Sequence, residues 1–235
     1  EEKGTIILNR DDKFFFHLAK KAKYKNIKIV SFGTNKKSDI YPLSIKKNNK
    51  IKVLSVKLGK KIVKVEFKNL NIYNILSSLA LLRELKIDIK KIIKCFKNYG
   101  PSEGRGKIYN INRYKKKFKL IDESYNANPL SVRNAITNLN SIKKQKFKKY
   151  LLLGDMLELG NKSERLHEDL SKVINNSDID KVFIKGSKTL TTYRNIDKKK
   201  RGNIFQQAED IDFTLKNIIA NNDYLMIKGS NATGL

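Results

Sequence analysis

Cysteine occurs once in this chain, at Cys95, and histidine only at His17 and His167. A lone thiol closes no internal disulfide, and no Cys/His cluster has the spacing of a zinc site. The two histidines stand apart from each other and from other metal ligands, so each is expected on the surface rather than in catalysis. No run of about 18 apolar residues is present to cross a bilayer, although apolar residues make up 40% of the sequence, enough for a packed core. The opening Glu1-Glu2-Lys3-Gly4 and the short Thr5–Leu8 run lack the basic start and long apolar middle of a secretory signal. These absences favour a soluble, cytoplasmic protein without a membrane span, expected to act as a monomer.

Acid is scarce as well: 23 Asp and Glu face 51 Lys and Arg, a formal charge of +28. Such an excess belongs either to a protein of nucleic acids or anionic surfaces, or to a drifted composition. Only eight of the basic residues are arginine and 43 are lysine, in a chain also rich in Asn and Ile. Those three residues are what A/T-rich codons specify. The lysines are scattered rather than gathered with arginine and aromatic platforms, as nucleic-acid sites prefer. Drift is the better account, and no specific nucleic acid partner is expected. The charge still favours anionic substrates, with a strength that salt reduces.

Within 235 residues there is room for one large domain, or a domain and part of another. Thr5–Leu8 and Lys28–Phe32 read as strands around a helix at Phe14–Lys23. Residues 39–67 hold short Ile- and Val-rich segments with turn signals at Asn48-Asn49 and Gly59-Lys60, the pattern of an antiparallel meander. From Asn71 the spacing becomes helical, through Ile72, Ile75, Leu76, Leu79, Leu82 and Leu85. Ile89, Ile92, Ile93 and Phe96 make a second helix, capped by Asp88. Gly100–Lys107, with three glycines and a proline, is the candidate linker. Beyond it come a strand at Phe118–Ile121, a helix at Pro129–Ile142 with Asn128 as N-cap, and an all-apolar strand at Tyr150–Leu153. A helix at Lys162–Ile174, a strand at Lys181–Ile184, a helix at Glu209–Ala220 and a strand at Tyr224–Ile227 follow. This alternation predicts a doubly wound α/β domain, whose ligands sit beyond the carboxyl ends of its strands. Those ends carry Asp122–Asn126, Gly154–Met156, Lys185–Ser187 and Lys228–Ser230, a polar and partly acidic rim.

Several words along the chain resemble the Mur ligase family. Leu8-Asn9-Arg10-Asp11-Asp12 is similar to its LNADD turn, Asn69–Asn74 to its HNxxN helix start, and Gly104-Arg105 to the GR opening its third domain. Asp122–Pro129 (DESYNANP), Gly154–Gly160 (GDMLELG) and Lys228-Gly229-Ser230 resemble words of the D-alanyl-D-alanine-adding branch. The resemblance implies a C-terminal Rossmann-like doubly wound domain at 104–235, preceded at 1–103 by the back part of a P-loop ATPase-type central domain. It implies an amide ligase that phosphorylates a UDP-MurNAc-tripeptide with ATP. The amine of D-Ala-D-Ala then attacks the acyl phosphate as the mobile C-terminal domain closes. Mg2+ would bridge the phosphates, its ligands lying in a part upstream of this sequence. The family's UDP-sugar domain would lie upstream of Glu1, and relatives continue beyond Gly234-Leu235 into a last helix. The expectation is a chain cut at both ends and inactive alone. Other amide ligases of the superfamily, such as other muropeptide ligases or folylpolyglutamate synthase, are the alternative, and a basic RNA-binding protein a more distant one.

Residue by residue, the resemblance implies that Asn71 and Asn74 read the adenine edge. Their rivals for this are helix capping and plain surface placement, and the family's histidine is Leu70 here. Arg105 would bind phosphate oxygens in a bidentate manner, or be a solvated linker charge. Asp122 or Glu123 would contact ribose, and the alignment can slide between them. Tyr125, Asn126 and Asn128 would meet substrate, with Asn128 equally suited to its helix cap. Asp155 and Glu158 would hold the dipeptide ammonium and Lys228 with Ser230 its carboxylate, against the alternatives of a strand-end turn at Gly154-Asp155 and an ordinary sheet-edge lysine at Lys228. No residue is assigned as catalyst or metal ligand.

Gly33-Thr34-Asn35-Lys36-Lys37-Ser38 imitates a phosphate loop without being one. A P-loop needs G-x-x-x-x-G-K-[ST], its second glycine letting backbone N–H groups wrap the phosphates. Lys36 occupies that glycine's place. Pro42 also forces its neighbour to stay extended where a helix should open.

The drift account predicts weak retention of RNA in filter binding at physiological salt, lost as salt rises. Tight, sequence-selective retention would reverse it.

Overall fold

The structure is a computed structural model describing residues 4–48, 51–68 and 70–235. It divides into two compact units, Glu1–Pro101 and Ser102–Leu235. In the first, β1 (Thr5–Asn9), β2 (Lys28–Phe32), β3 (Ile40–Asn48), β4 (Ile51–Leu58) and β5 (Lys61–Phe67) form a sheet in chain order, with α1 (Phe15–Tyr24) between β1 and β2 in sequence. β1 and β2 are parallel, and β3 to β5 are the antiparallel meander that the Ile/Val alternation predicts. The turn signal at Asn48-Asn49 falls partly outside the described residues, because Asn49 does. Gly59-Lys60 does make the β4–β5 turn, with Gly59 left-handed at φ +60.

Helix α2 (Ile72–Glu84) lays Ile75, Leu76 and Leu79 on this sheet, each fully buried. The single helix expected over 89–96 is instead two one-turn pieces, α3 (Ile89–Ile92) and α4 (Cys95–Asn98). Asp88 does cap the first, accepting the Lys90 N–H at 3.0 Å. Three β-branched isoleucines in five residues weaken a continuous ladder. Ile89, Ile93 and Phe96 still reach the core from the broken form.

The second unit contains β6 (Lys107–Arg113), β7 (Lys116–Glu123), α5 (Pro129–Asn140), β8 (Lys149–Gly154), α6 (Ser163–Glu168) and α7 (Leu170–Asn175). β9 (Lys181–Lys185), α8 (Thr189–Asn195), β10 (Arg201–Phe205), α9 (Ala208–Ile218) and β11 (Tyr224–Lys228) complete it. Its sheet runs β10-β9-β8-β11-β7-β6, parallel throughout except for β6. From β7 to β10 the chain steps in one direction across the sheet, and for β11 it turns back. Right-handed crossovers therefore put α5 to α8 on one face and α9 on the other. The core follows. Ile121, Leu151, Leu153, Val182, Ile184 and Met226 pack under α5 to α8. Tyr150, Leu152, Phe183, Phe205 and Leu225 pack under Leu215 of α9. β8, buried at every residue, is the middle strand that its apolar run announces.

Two expectations need correction here. The helix expected over 162–174 breaks at Asp169 into α6 and α7, where the Ser171 hydroxyl donates to the Glu168 carbonyl instead of leaving it to the ladder. The candidate linker 100–107 does hold the boundary between the two units, after Pro101, but from Ser102 on it is built into the second: Gly104 N–H donates to the Asp122 carboxylate and Gly106 N–H to the Asp122 carbonyl.

Two lysines inside this unit finish helices. Lys149, fully buried, donates to Asn140 O at the end of α5 and to Ile142 O just past it, and pairs with Asp178 at 2.7 Å. Lys200 donates to Ile174 O in the last turn of α7 and to Ser177 O just past it. Each satisfies carbonyls that a helix end leaves orphaned.

The β6–β7 hairpin turns on Tyr114-Lys115, both left-handed at φ +57. A side chain there costs about 1–2 kcal/mol. Tyr114 is held by its hydroxyl bond to Asp212, whereas Lys115 is exposed. Lys115→Gly should raise stability by about 1 kcal/mol, read as a higher denaturation midpoint with unchanged slope.

Candidate functional site

Because β7, β8, β9, β10 and β11 are parallel, their carboxyl ends share one rim of the second sheet. β11 enters between β7 and β8, so its last residues touch the loops on both sides. Lys228, 1% exposed, donates from Nζ to Glu123 O at 3.1 Å and to Asn126 O. Its ammonium stands 4.0 Å from the Glu123 carboxylate. On the other side Ser230 N–H donates to Asp155 O, and Ser230 Oγ accepts the Leu157 N–H, both at 3.1 Å. The 122–128 and 154–158 segments are thus stitched to one strand end.

Asp122 and Glu123 differ sharply. Asp122 accepts from Gly104 N–H, Ser124 N–H and Ser124 Oγ. Burial works against its charge, but the Ser124 and Gly104 bonds outweigh that and hold it below the ordinary carboxylate value. Glu123 is raised, by burial first and by Asp122 second, against the pull of Lys228 and Arg105. Burial also lowers Lys228, against the attraction of Glu123. Asp122 therefore anchors the Gly104–Gly106 turn, and Glu123 is the neighbour whose carboxylate carries no close hydrogen bond among the described residues.

That turn presents Arg105. Gly104 is left-handed at φ +69, and a Cβ on it would stand 2.7 Å from Tyr125 Cβ. Arg105 is exposed, its guanidinium 4.2 Å from the centre of the Tyr125 ring, a cation–π contact. Tyr125, Asn126 and Asn128 are exposed on the same loop. Asn128 is also a full N-cap: its Oδ1 accepts the Ser131 N–H while Ser131 Oγ accepts the Asn128 N–H.

Asp155 is 7% exposed and caps α8 from a distance, accepting Thr189 N–H at 2.8 Å and Lys188 N–H at 3.2 Å. A Cβ on Gly186 would meet that carboxylate at 2.4 Å. Glu158 is exposed and left-handed at φ +62. Beside Asp155 lies a cavity of about 500 Å³, with Lys185, Ser187, Gln206 and Thr233 around a floor that includes Leu157 and Phe205. Gln206 and Thr233 carry no motif in the sequence and become visible only through this cavity.

The expectation that both histidines are superficial fails at one of them. His17 is exposed, but His167 is fully buried. It is the buried residue of α6, with its ring against the Met156 N–H and the Ser163 carbonyl.

In the first unit Asn71 is the N-cap of α2, its Oδ1 accepting Tyr73 N–H at 2.8 Å. Asn74, one turn later and exposed, borders a cavity of about 510 Å³ together with Leu70, Ser78, Phe96 and Tyr99. Asn69 lies outside the described residues. The phosphate-loop imitation is filled from within the protein. Asp11 accepts Thr34 N–H, Thr34 Oγ, Asn35 N–H and Tyr73 OH. Burial opposes its charge, and the Thr34, Tyr73 and Asn35 bonds more than offset it, leaving its pKa lowered.

Among the described residues no helix is long and apolar enough to cross a membrane. No group of three or more His, Cys, Asp and Glu is gathered to hold a metal ion among them either.

Residues 105–231 match the family described as Mur ligase, glutamate ligase domain, and residues 1–82 match the Mur ligase middle domain. The chain belongs to the Mur ligase family. It is 30% identical over 237 residues to the UDP-N-acetylmuramoyl-tripeptide--D-alanyl-D-alanine ligase of Buchnera aphidicola subsp. Acyrthosiphon pisum, covering 98% of this chain and 50% of that one. It is 30% identical over 157 residues to the enzyme of the same name from Rickettsia prowazekii, covering 67% of this chain and 34% of that one. Its fold is similar to that of the MurF ligase of Thermotoga maritima in complex with ADP, with a TM-score of 0.75 at 20% identity, over 99% of this chain and 51% of that one. The chain spans about half, or less, of the length of these curated relatives.

The two acids give opposite pH signatures. Asp122, lowered on folding, stabilises above the ordinary carboxylate range, and that contribution is lost as pH falls through its lowered value. Glu123, raised on folding, disfavours the folded state at neutral pH, and protonation relieves it as pH falls through its raised value. Asp122→Asn should therefore lower the melting temperature at neutral pH, costing about 1–2 kcal/mol. Glu123→Gln should raise it, with the gain vanishing in acid, as thermal melts across pH would show.

Proposed function

We propose that this chain is the nucleotide- and acceptor-binding portion of an ATP-dependent amide ligase joining D-alanyl-D-alanine to a UDP-MurNAc-tripeptide in the cytoplasm. The observation that carries the reading is the shared rim. The YNANP and GDMLELG words stand at the ends of β7 and β8 and are tied to one strand end through Lys228 and Ser230.

In this reading Glu123 is the acid for the ribose hydroxyls, because Asp122 is already committed to the Gly104–Gly106 turn. Arg105, fixed by that turn rather than swinging on a loose linker, meets phosphate oxygens. Asn74 reads the adenine edge with one amide donor and one acceptor, and Phe96 and Tyr99 supply planar walls nearby. Asn71 serves α2 as its cap first.

The dipeptide occupies the groove beside Asp155. Lys185 supplies positive charge for its carboxylate, and Glu158 negative charge for its ammonium. Lys228 and Ser230 act by holding the loops, and Tyr125, Asn126 and Asn128 line the substrate side of the YNANP segment. Orientation is what such a rim contributes: bringing an amine and an activated carboxyl into line supplies a large share of the acceleration in amide formation. Among the described residues no group of three or more His, Cys, Asp and Glu is gathered to hold Mg2+, and none of these roles passes through a metal.

The reading predicts that, in an NMR titration, D-Ala-D-Ala shifts amides of residues 155–158, 185–187 and 229–231. ADP should bind the same chain, with affinity about tenfold or more weaker after Asn74→Ala, which removes both amide hydrogen bonds. The chain alone should turn over no ATP with both substrates present. A dipeptide that leaves the rim amides unmoved sinks the proposal.

A further inference from the structure

The imidazole of His167 has no part in the roles above, yet it is fully buried and engaged at both nitrogens. Nε2 accepts the Met156 N–H at 3.0 Å. A backbone N–H only donates, so Nε2 carries no proton, and in the neutral ring the proton resides on Nδ1. Nδ1 lies 2.7 Å from the Ser163 carbonyl oxygen, which only accepts. Neither partner can reverse its role, so the surroundings select one tautomer. The His167 carbonyl in turn accepts the Thr192 hydroxyl at 2.7 Å, tying α6 to α8.

The peptide that His167 holds is the middle of the GDMLELG turn. Asp155 on one side caps α8, and Leu157 N–H on the other is bound to Ser230 Oγ. Met156 itself is 1% exposed, so its N–H would be left buried without an acceptor if the ring were removed. The next residue but one, Glu158, is held at φ +62, a conformation that a non-glycine residue keeps only when its neighbours enforce it.

We infer that His167 is a positioning residue: as the Nδ1–H tautomer it latches the Met156 peptide and thereby sets the 155–158 turn for the acceptor amine. The latch stands on geometry alone. Its service to an acceptor rests on the function proposed above.

The test uses the full chain and two substitutions. His167→Gln places an amide oxygen near the position of Nε2 and keeps an acceptor for Met156. His167→Asn reaches only the position of Nδ1 and keeps the Ser163 bond alone. Imidazole 15N shifts should report a protonated Nδ1 and a bare Nε2. Amide exchange at residues 156–158 should quicken about tenfold or more in H167N, stay close to wild type in H167Q, and remain unchanged across α5 and β8 in both.

A protonated Nε2 overturns the inference. So does H167N exchange that is unchanged, or faster uniformly through the second unit. Should H167N fail to fold, H167Q decides: 156–158 amides exchanging tenfold faster there would equally overturn it. D-Ala-D-Ala shifts, where wild type shows them, should weaken in H167N and return in H167Q. A wild-type rim that never responds to the dipeptide, with the tautomer and exchange pattern intact, removes the ligase reading and leaves the latch standing.

Discussion

An ammonium group sealed inside a protein is costly unless each of its protons finds a partner, and truncating the partner or the group leaves an uncompensated charge or acceptor. Lys228 comes close to that condition, with bonds to the carbonyls of Glu123 and Asn126 and the Glu123 carboxylate 4.0 Å away. All the surrounding order depends on it. The YNANP loop leans on it and on Gly104, whose carbonyl accepts the Tyr125 N–H, and Ser230, two residues on, fixes the opposite loop. Since β11 pairs with both β7 and β8, the rim cannot be assembled before this strand takes its place between them. Contacts of such long sequence separation form late and slowly.

Much of this was legible in the sequence where one physical signal dominated. The apolar run at 150–153 marked a strand buried on both faces, Asn128-Pro129 marked a helix start, and the change of period at Asn71 marked α2. The signal failed at edges. β6 and β10 have little burial to impose a pattern. The threonine-rich α8 begins not with a local cap but with Asp155, more than thirty residues upstream. Broken helices were missed for a related reason. Periodicity reports which residues face the core, and a chain with two short turns can satisfy the same periodicity as one continuous helix.

The site was legible as a set of words and opaque as a set of roles. No spacing rule tells Asp122 from Glu123. The difference arises because Ser124, and Gly104 from eighteen residues earlier, donate to one, while burial leaves the other without a close donor. His167 carried no motif and sat among charged residues, so its neighbourhood in sequence pointed outward while its neighbourhood in space is the core. The imitation of a phosphate loop at 33–38 shows the reverse case. Its backbone N–H groups do converge on an anion, and the anion is the protein's own Asp11.

The lysine excess looks like noise, a mutational habit spread over the surface. Three of those lysines nonetheless lie inside the second unit, at 149, 200 and 228, each with its amine on main-chain carbonyls. A long flexible stem ending in three donors can reach almost any orphaned oxygen. Lysine therefore also serves as an all-purpose mortar at the few joints where main-chain oxygens are left open.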